Sequence, residues 1–275
     1  MSKPTLSEFS LVGKTCIVTR GSGGLGKEFL TAFALSGANT ACVDLSVSDG
    51  ESVLAEVRTE VATHFSKSGT THSIPQLRAY ACNVTQEDQV KETVRKVVED
   101  FGGRVDALVT AAGVVENFNA EEYPLERFKT VMDVNVNGTF LFAREVGAHM
   151  IANQNPGSII MISSMSAKIV NRPQNQAAYN ASKAAVSHLM KSMATEWAPH
   201  KIRVNALCPG YQFTPLLKNL LEKEGDMTGD WKRDTPMGRL GDPKELRGSV
   251  VFMASDASAF MTGHDLVVDG GYTVW

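Results

Sequence analysis

The chain has 275 residues, enough for one α/β domain with a large core, and its 43% apolar and 21% charged content is ordinary for a globular protein. A net charge of −3 lacks the basic excess of a nucleic-acid binder, and no apolar run approaches the roughly 18 residues of a membrane span. Cys16, Cys42, Cys82 and Cys208 show neither metal-like nor redox-like spacing, so buried free thiols and a cytoplasmic setting are expected.

Residues 1–10 hold Lys3, Pro4 and Glu8 without an apolar signal core, and are expected to form a short surface arm ahead of one domain over 11–275. A first strand over Thr15–Thr19 stops at Arg20-Gly21-Ser22-Gly23-Gly24-Leu25-Gly26. The next stretch, Gly24–Ser36, reads as an amphipathic helix with Phe29, Leu30, Phe33 and Ala34 on one side. Strand, glycine turn and helix form the context of a dinucleotide fingerprint: glycines let backbone approach a pyrophosphate, and the helix N-terminus offers free N–H groups. A second strand, Thr40–Asp44, ends in an acid about twenty residues on, where a carboxylate can accept hydrogen bonds from adenosine ribose hydroxyls.

A helix over Asp49–Ser66 and a strand over Gln76–Asn83 follow. Thr85 is read as the N-cap of a helix over Gln86–Phe101, with acids in its first turn, a solvated charged face over Lys91 to Asp100, and Gly102-Gly103 at its end. The fourth strand, Ala107–Ala111, leads into Ala112-Gly113. A long helix over Pro124–Asn153 carries Asn135, and Pro156-Gly157 separates it from a strand over Ser158–Ser163. After Ser164 comes a helix over Gln176–Ala198, then a strand over Arg203–Cys208 and Pro209-Gly210. Residues 211–241 break the alternation and are expected to form a substrate lid. A helix over Pro243–Ala254 and a strand over Asp265–Val268 complete the chain. Repeated βα units with Val/Ile/Ala-rich strands predict a single doubly wound, seven-stranded parallel sheet covered by helices on both faces. Ligands should bind beyond the C-terminal strand ends.

Chemistry concentrates in Tyr179-Asn180-Ala181-Ser182-Lys183. Tyr179 and Lys183, four apart, share one helix face. An ammonium near a phenol favours the phenolate and brings the phenol toward the working pH range, and Ser164 stands ready to polarise a substrate oxygen. This set suits moving a proton on or off an alcohol while a cofactor takes the hydride. The six histidines lack metal-ligand spacing, and no metal is expected.

On these residues the chain resembles the short-chain dehydrogenase/reductase family over nearly its whole length. Segments such as Glu116-Asn117-Phe118, Ile169 to Gln174 and Thr262 to Tyr272 resemble the fungal polyol dehydrogenases and ketoreductases of that family. The resemblance implies a Rossmann fold and Tyr179 as acid/base. It implies Lys183 as the residue that lowers the tyrosine pKa and holds the nicotinamide ribose, and Ser164, next to Ser163, as the serine that positions substrate. Asn135 would hold a water linking Lys183 to solvent. Arg20, Ser22, Gly24, Leu25, Asp44, Asn83, Val84, Ala112, Gly113, Pro209, Gln212 and Thr214 would join Tyr179 and Lys183 in contacting the cofactor. NAD is expected, with NADP as the alternative. The substrate would be a polyol or ketone, the sugar pocket would include Tyr211, Asn175 and Gln176, and the chain would form a homo-oligomer, dimer or tetramer. Which of the two serines faces the site is left open.

Three positions depart from the pattern. Arg20 stands where the family turn has glycine: it can be a strained substitute, weaken cofactor binding, or reach the adenosine ribose and accept a 2′-phosphate. Thr110 replaces an asparagine, and Gln212 replaces an aliphatic residue beside the carboxamide. Two rival readings follow: an NADPH-dependent reductase of a biosynthetic ketone, and a binding protein of the same fold that has lost its cofactor.

Overall fold

A computed structural model describes residues 6–68, 74–214, 217 and 228–275. Seven strands, β1 (Thr15–Thr19), β2 (Asn39–Asp44), β3 (Leu77–Ala81), β4 (Ala107–Thr110), β5 (Gly157–Ile162), β6 (Ile202–Pro209) and β7 (Asp265–Val268), pair in parallel in the order β3-β2-β1-β4-β5-β6-β7. The order reverses between β1 and β4, and a crevice opens there beyond the strand ends.

Side chains alternate across the sheet and feed two cores. On one face Ile17, Leu108, Ile159 and Val204 meet α3 (Glu87–Asp100), α5 (Gly138–Ala152) and α6 (Ala177–Trp197) through Val94, Phe142, Val186 and Met190. On the other, Cys16, Val18, Val109 and Ile160 meet α1 (Gly24–Leu35) and α2 (Val47–Ser68), with Phe29, Phe33, Leu54 and Val57 filling the layer. In α3 the valines at 90, 94 and 97 face inward, whereas Lys91, Glu92 and Arg95 lie outside in ion pairs, as the charge pattern predicts. All four cysteines are buried and free.

Several expected elements differ in detail. The strand expected over Gln76–Asn83 is confined to Leu77–Ala81. Thr85 does not cap α3. Its hydroxyl donates to Asn83 Oδ1 at 2.9 Å, and Gln86 takes the cap position without a side-chain bond. The helix expected over Pro124–Asn153 breaks into α4 (Leu125–Met132), a π turn (Asp133–Asn137) and α5. At the other end of the chain, a 3₁₀ turn over Pro243–Leu246, with a capping box on Asp242 and Glu245, precedes α8 (Arg247–Ala254). Of the expected lid, residues 215–216 and 218–227 lie outside the described residues, as do residues 1–5 of the arm. The described remainder of the lid includes α7 (Thr228–Asp234). No described helix is long and apolar enough to cross a membrane.

Candidate active site

Strand β5 delivers Ser163 and Ser164 to the crevice, and the structure separates their roles. Ser163 turns toward α6, donating to Lys183 O at 3.0 Å and meeting the Ser187 hydroxyl at 2.9 Å. Both serines line the cavity, and the Ser164 hydroxyl, free of α6, contacts Ser166 Oγ at 3.0 Å. Tyr179 and Lys183 occupy successive turns of α6, with Lys183 Nζ 5.6 Å from the Tyr179 ring centroid. The Lys183 ammonium, only 4% exposed, donates to Ile162 O at 2.8 Å.

Burial dominates the electrostatics of both side chains. Burial raises the Tyr179 pKa above the ordinary phenol value. The opposing influences are the nearby Ser164 hydroxyl and the Arg20 charge. Lys183 itself is pushed down to about 8, chiefly by burial, with Arg20 acting in the same direction.

Asn135 owes its place to the π turn, a device that widens one helical turn and often marks a functional site. The Gly138 N–H reaches back to Asp133 O. Fully buried, Asn135 accepts from Val114 N at 2.8 Å and donates to Val114 O at 3.0 Å and to Ser182 Oγ at 2.9 Å. It therefore clamps the chain leaving β4 against α6. Its side-chain amide is used in these three bonds to protein.

One cavity of about 210 Å³ brings together Arg20, Gly24, Leu25, Gly113, Ser164, Tyr179, Lys183, Pro209, Gln212 and Thr214. Ser22, Asp44, Asn83, Val84, Ala112 and Asn135 do not line it. Asp44, at the end of β2, ties the glycine turn in place. Its Oδ2 accepts from the Ser22 N–H at 2.9 Å and from the Ser22 hydroxyl, and its Oδ1 accepts from Leu45 N at 2.8 Å. A carboxylate has about four acceptor sites, so about one remains for a ribose hydroxyl. Asn83 caps its own turn, accepting from Thr85 N at 3.1 Å.

The turn fits a bound pyrophosphate. A Cβ on Gly26 would lie 2.2 Å from Arg20 O, so no side chain can intervene where turn and helix meet. The N-cap of α1 is Gly23, without a side-chain cap, and the first turn holds no acid, so its N–H groups stay available to an anion. Arg20 takes φ of +50°, a region that costs a non-glycine residue about 1–2 kcal/mol. Its guanidinium does not extend toward the adenosine end beside Asp44. It folds over Gly23 and donates to Gly113 O. The other two departures leave traces: Thr110 Oγ1 and Gln212 Oε1 are buried without a hydrogen-bond partner among the described residues.

Beside Ser164 the cavity is lined by a ring of amides. Tyr211 Oη accepts from Asn171 Nδ2 at 3.1 Å and from Gln174 Nε2 at 2.7 Å. Gln176 Nε2 donates to Asn171 Oδ1 at 2.7 Å, and so does Ser166 Oγ, at 2.6 Å. Trp231, fully buried on α7, stacks on Tyr211 with centroids 4.3 Å apart and donates to Gln174 Oε1 at 3.2 Å. Asn175, expected in this pocket, is exposed and bonds Asn119 instead. Ser166, Asn171, Gln174 and Trp231 were not anticipated. The density of amides between 171 and 176, directly before Tyr179, was the available signal.

Known proteins resemble the chain over nearly its whole length. Residues 21–273 match the family described as Enoyl-(Acyl carrier protein) reductase. The ribulose-forming D-arabinitol 2-dehydrogenase of Candida tropicalis is 41% identical over 268 residues, 97% of this chain and 95% of that protein. A sorbose reductase of Schizosaccharomyces pombe is 38% identical, covering 97% of this chain and 98% of its own. Among solved structures, a short-chain type dehydrogenase/reductase from Mycobacterium marinum superposes with a TM-score of 0.86 at 38% identity, covering 97% of this chain and 98% of that one.

Proposed function

The chain belongs to the short-chain dehydrogenase/reductase family, and on that premise we propose that it transfers a hydride between NAD and a secondary alcohol of a polyol or the matching ketose, with D-arabinitol and D-ribulose the first pair to try. The observation that carries the substrate class is the ring of buried amides around Tyr211, next to Ser164 and Tyr179. A polyol gives up many water contacts on binding, and only a pocket rich in donors and acceptors replaces them.

Bound at the glycine turn, the nicotinamide dinucleotide supplies the hydride acceptor or donor. Ser164 donates to the substrate oxygen and steadies its developing charge. Tyr179 removes the hydroxyl proton in oxidation and returns it in reduction. The Ser164 hydroxyl and the nearby Arg20 charge act against, without cancelling, the burial that disfavours its phenolate. Lys183, held by Ile162 O, holds the nicotinamide ribose and passes the proton onward. Asp44, with its remaining acceptor site, favours the unphosphorylated ribose of NAD over NADP. Residues 11–275 act as one catalytic unit, with α7 and its Trp231 as part of the cover over the substrate. Self-association into a dimer or tetramer through the helices of residues 124–153 and 176–198 is proposed with it, as is a cytoplasmic location.

The test is a screen of polyols with NAD and of ketoses with NADH, followed through NADH absorbance. Turnover of D-arabinitol or a close epimer supports the reading. Binding of dinucleotide without turnover of any polyol or ketose refutes the substrate class.

A further inference from the structure

The main cavity carries two positive charges, Arg20 and Lys183, and no aspartate or glutamate among its described lining residues. Lys183 is anchored to Ile162 O, whereas Arg20 has no carboxylate within ion-pair distance among the described residues. The Arg20 side chain lies over Gly23, the uncapped N-cap of α1, with its Cγ and Nε each 3.2 Å from where a Cβ on that glycine would stand. Its guanidinium ends on Gly113 O, and a Cβ on Gly113 would lie 3.5 Å from Lys183 Nζ. It thus spans the crevice from the glycine turn to the strand-β4 side, between the helix N-terminus and the catalytic lysine. A guanidinium with only a neutral carbonyl for a partner, in a cavity free of acids, is matched by a ligand with two adjacent negative charges.

We propose that Arg20 pairs with the pyrophosphate of the bound dinucleotide, exchanging its Gly113 carbonyl for phosphate oxygens, and contributes nothing to recognition of a 2′-phosphate. The assignment rests on the oxidoreductase reading above. It also accounts for a costly residue at a left-handed position: the strain is carried in the free protein, and the charge is used when the cofactor binds.

Calorimetric titration of the unaltered protein, Arg20→Gly and Arg20→Lys with NADH and with NADPH, together with thermal unfolding of each free protein, tests it. Arg20→Gly should weaken NADH and NADPH by the same factor, roughly ten- to a hundredfold, as expected for the loss of charge-assisted hydrogen bonds. Arg20→Lys, which keeps the charge without the fork, should fall between the two. The free Arg20→Gly protein should unfold at an equal or higher temperature than the unaltered one, because glycine relieves the +50° φ. Loss confined to NADPH would assign Arg20 to the 2′-phosphate. Tighter binding by Arg20→Gly would make the side chain an obstruction, and equal affinities would leave it without a role; each of these overturns the proposal. An unaltered protein that binds neither dinucleotide would bring down the oxidoreductase reading and this one with it, whereas tight binding unaffected by Arg20→Gly removes only the Arg20 assignment.

Discussion

Replacing Lys183 with methionine should stabilise the cofactor-free protein at neutral pH while abolishing turnover. The ammonium is 4% exposed, and burial lowers its pKa from the ordinary 10.5 to about 8. Below pH 8 the lysine is charged in both the folded and unfolded chains, and the folded state bears the full cost of burying that charge. Between pH 8 and 10.5 the unfolded chain binds the extra proton, so stability rises with pH, and above 10.5 both forms are neutral and the cost is gone. A gap of about 2.5 in pKa corresponds to about 3 kcal/mol. Methionine also forfeits the 2.8 Å bond to Ile162 O, worth about 1 kcal/mol. The variant should therefore be about 2 kcal/mol more stable at pH 7 and about 1 kcal/mol less stable near pH 10.5. The titratable neighbours Tyr179 and Cys208 are both pushed up by burial, which keeps them neutral over most of that window. Urea unfolding of both proteins at the two pH values gives the comparison. A variant less stable at pH 7, or a difference that does not change with pH, would refute the reasoning.

Three further outcomes are expected. Gln176→Ala removes the donor to Asn171 Oδ1 and Asn180 Oδ1 and should raise the polyol KM by roughly tenfold with a smaller change in kcat; an unchanged KM takes Gln176 out of the pocket. Tyr211→Phe leaves the Asn171 and Gln174 amides without their shared acceptor, at about 1–3 kcal/mol for each buried N–H, and should lower both the melting temperature and polyol affinity; NADH affinity measured by calorimetry should hold. Asn135→Ala breaks the three bonds that hold Val114 and Ser182 and should cost about 3 kcal/mol, a fall of about 6–12 °C in Tm. An Asn135→Ala protein as stable as the original would mean that its amide clamps nothing.

The sheet and its flanking helices were legible because their signals are local. Val/Ile/Ala runs, 3.6-residue periodicity and glycine punctuation lie in the chain itself, and parallel order follows from alternation. Tyr179 and Lys183 were legible for the same reason, since two residues four apart on one helix must share a face. What stayed hidden depended on packing. Nothing in Asp133-Val134-Asn135-Val136-Asn137 announces a π turn, because the extra residue is accommodated only when Asn135 reaches Val114 and Ser182 across the fold. Likewise the choice between Ser163 and Ser164 depends on which way the strand end faces, and Ser187 on α6 decides it. The spacing of Tyr179 and Lys183 puts the two on one face, but the anchor of Nζ on Ile162 O is a partner visible only in three dimensions.

The distribution of charge along the crevice follows from these same placements. Asp44 stands at the end of β2, bound into the turn by Ser22 and Leu45, while Arg20 and Lys183 stand on the other side of the glycines. Beyond Tyr179 the described walls combine amides, hydroxyls and aromatic rings with aliphatic side chains such as Val115 and Met165, and carry no charge. A ligand with a neutral ribose on each side of a central diphosphate fits that order, with ribose hydroxyls at Asp44 and the phosphates beside the cations. A neutral polyol gains little from either charge and is held by the amide ring alone, so its affinity should respond to Gln176 and Tyr211 and be insensitive to Arg20. Cofactor and substrate recognition are thus separated by the chemistry of their walls, and Tyr179, beside Ser164 on the cavity lining, stands at the boundary between them.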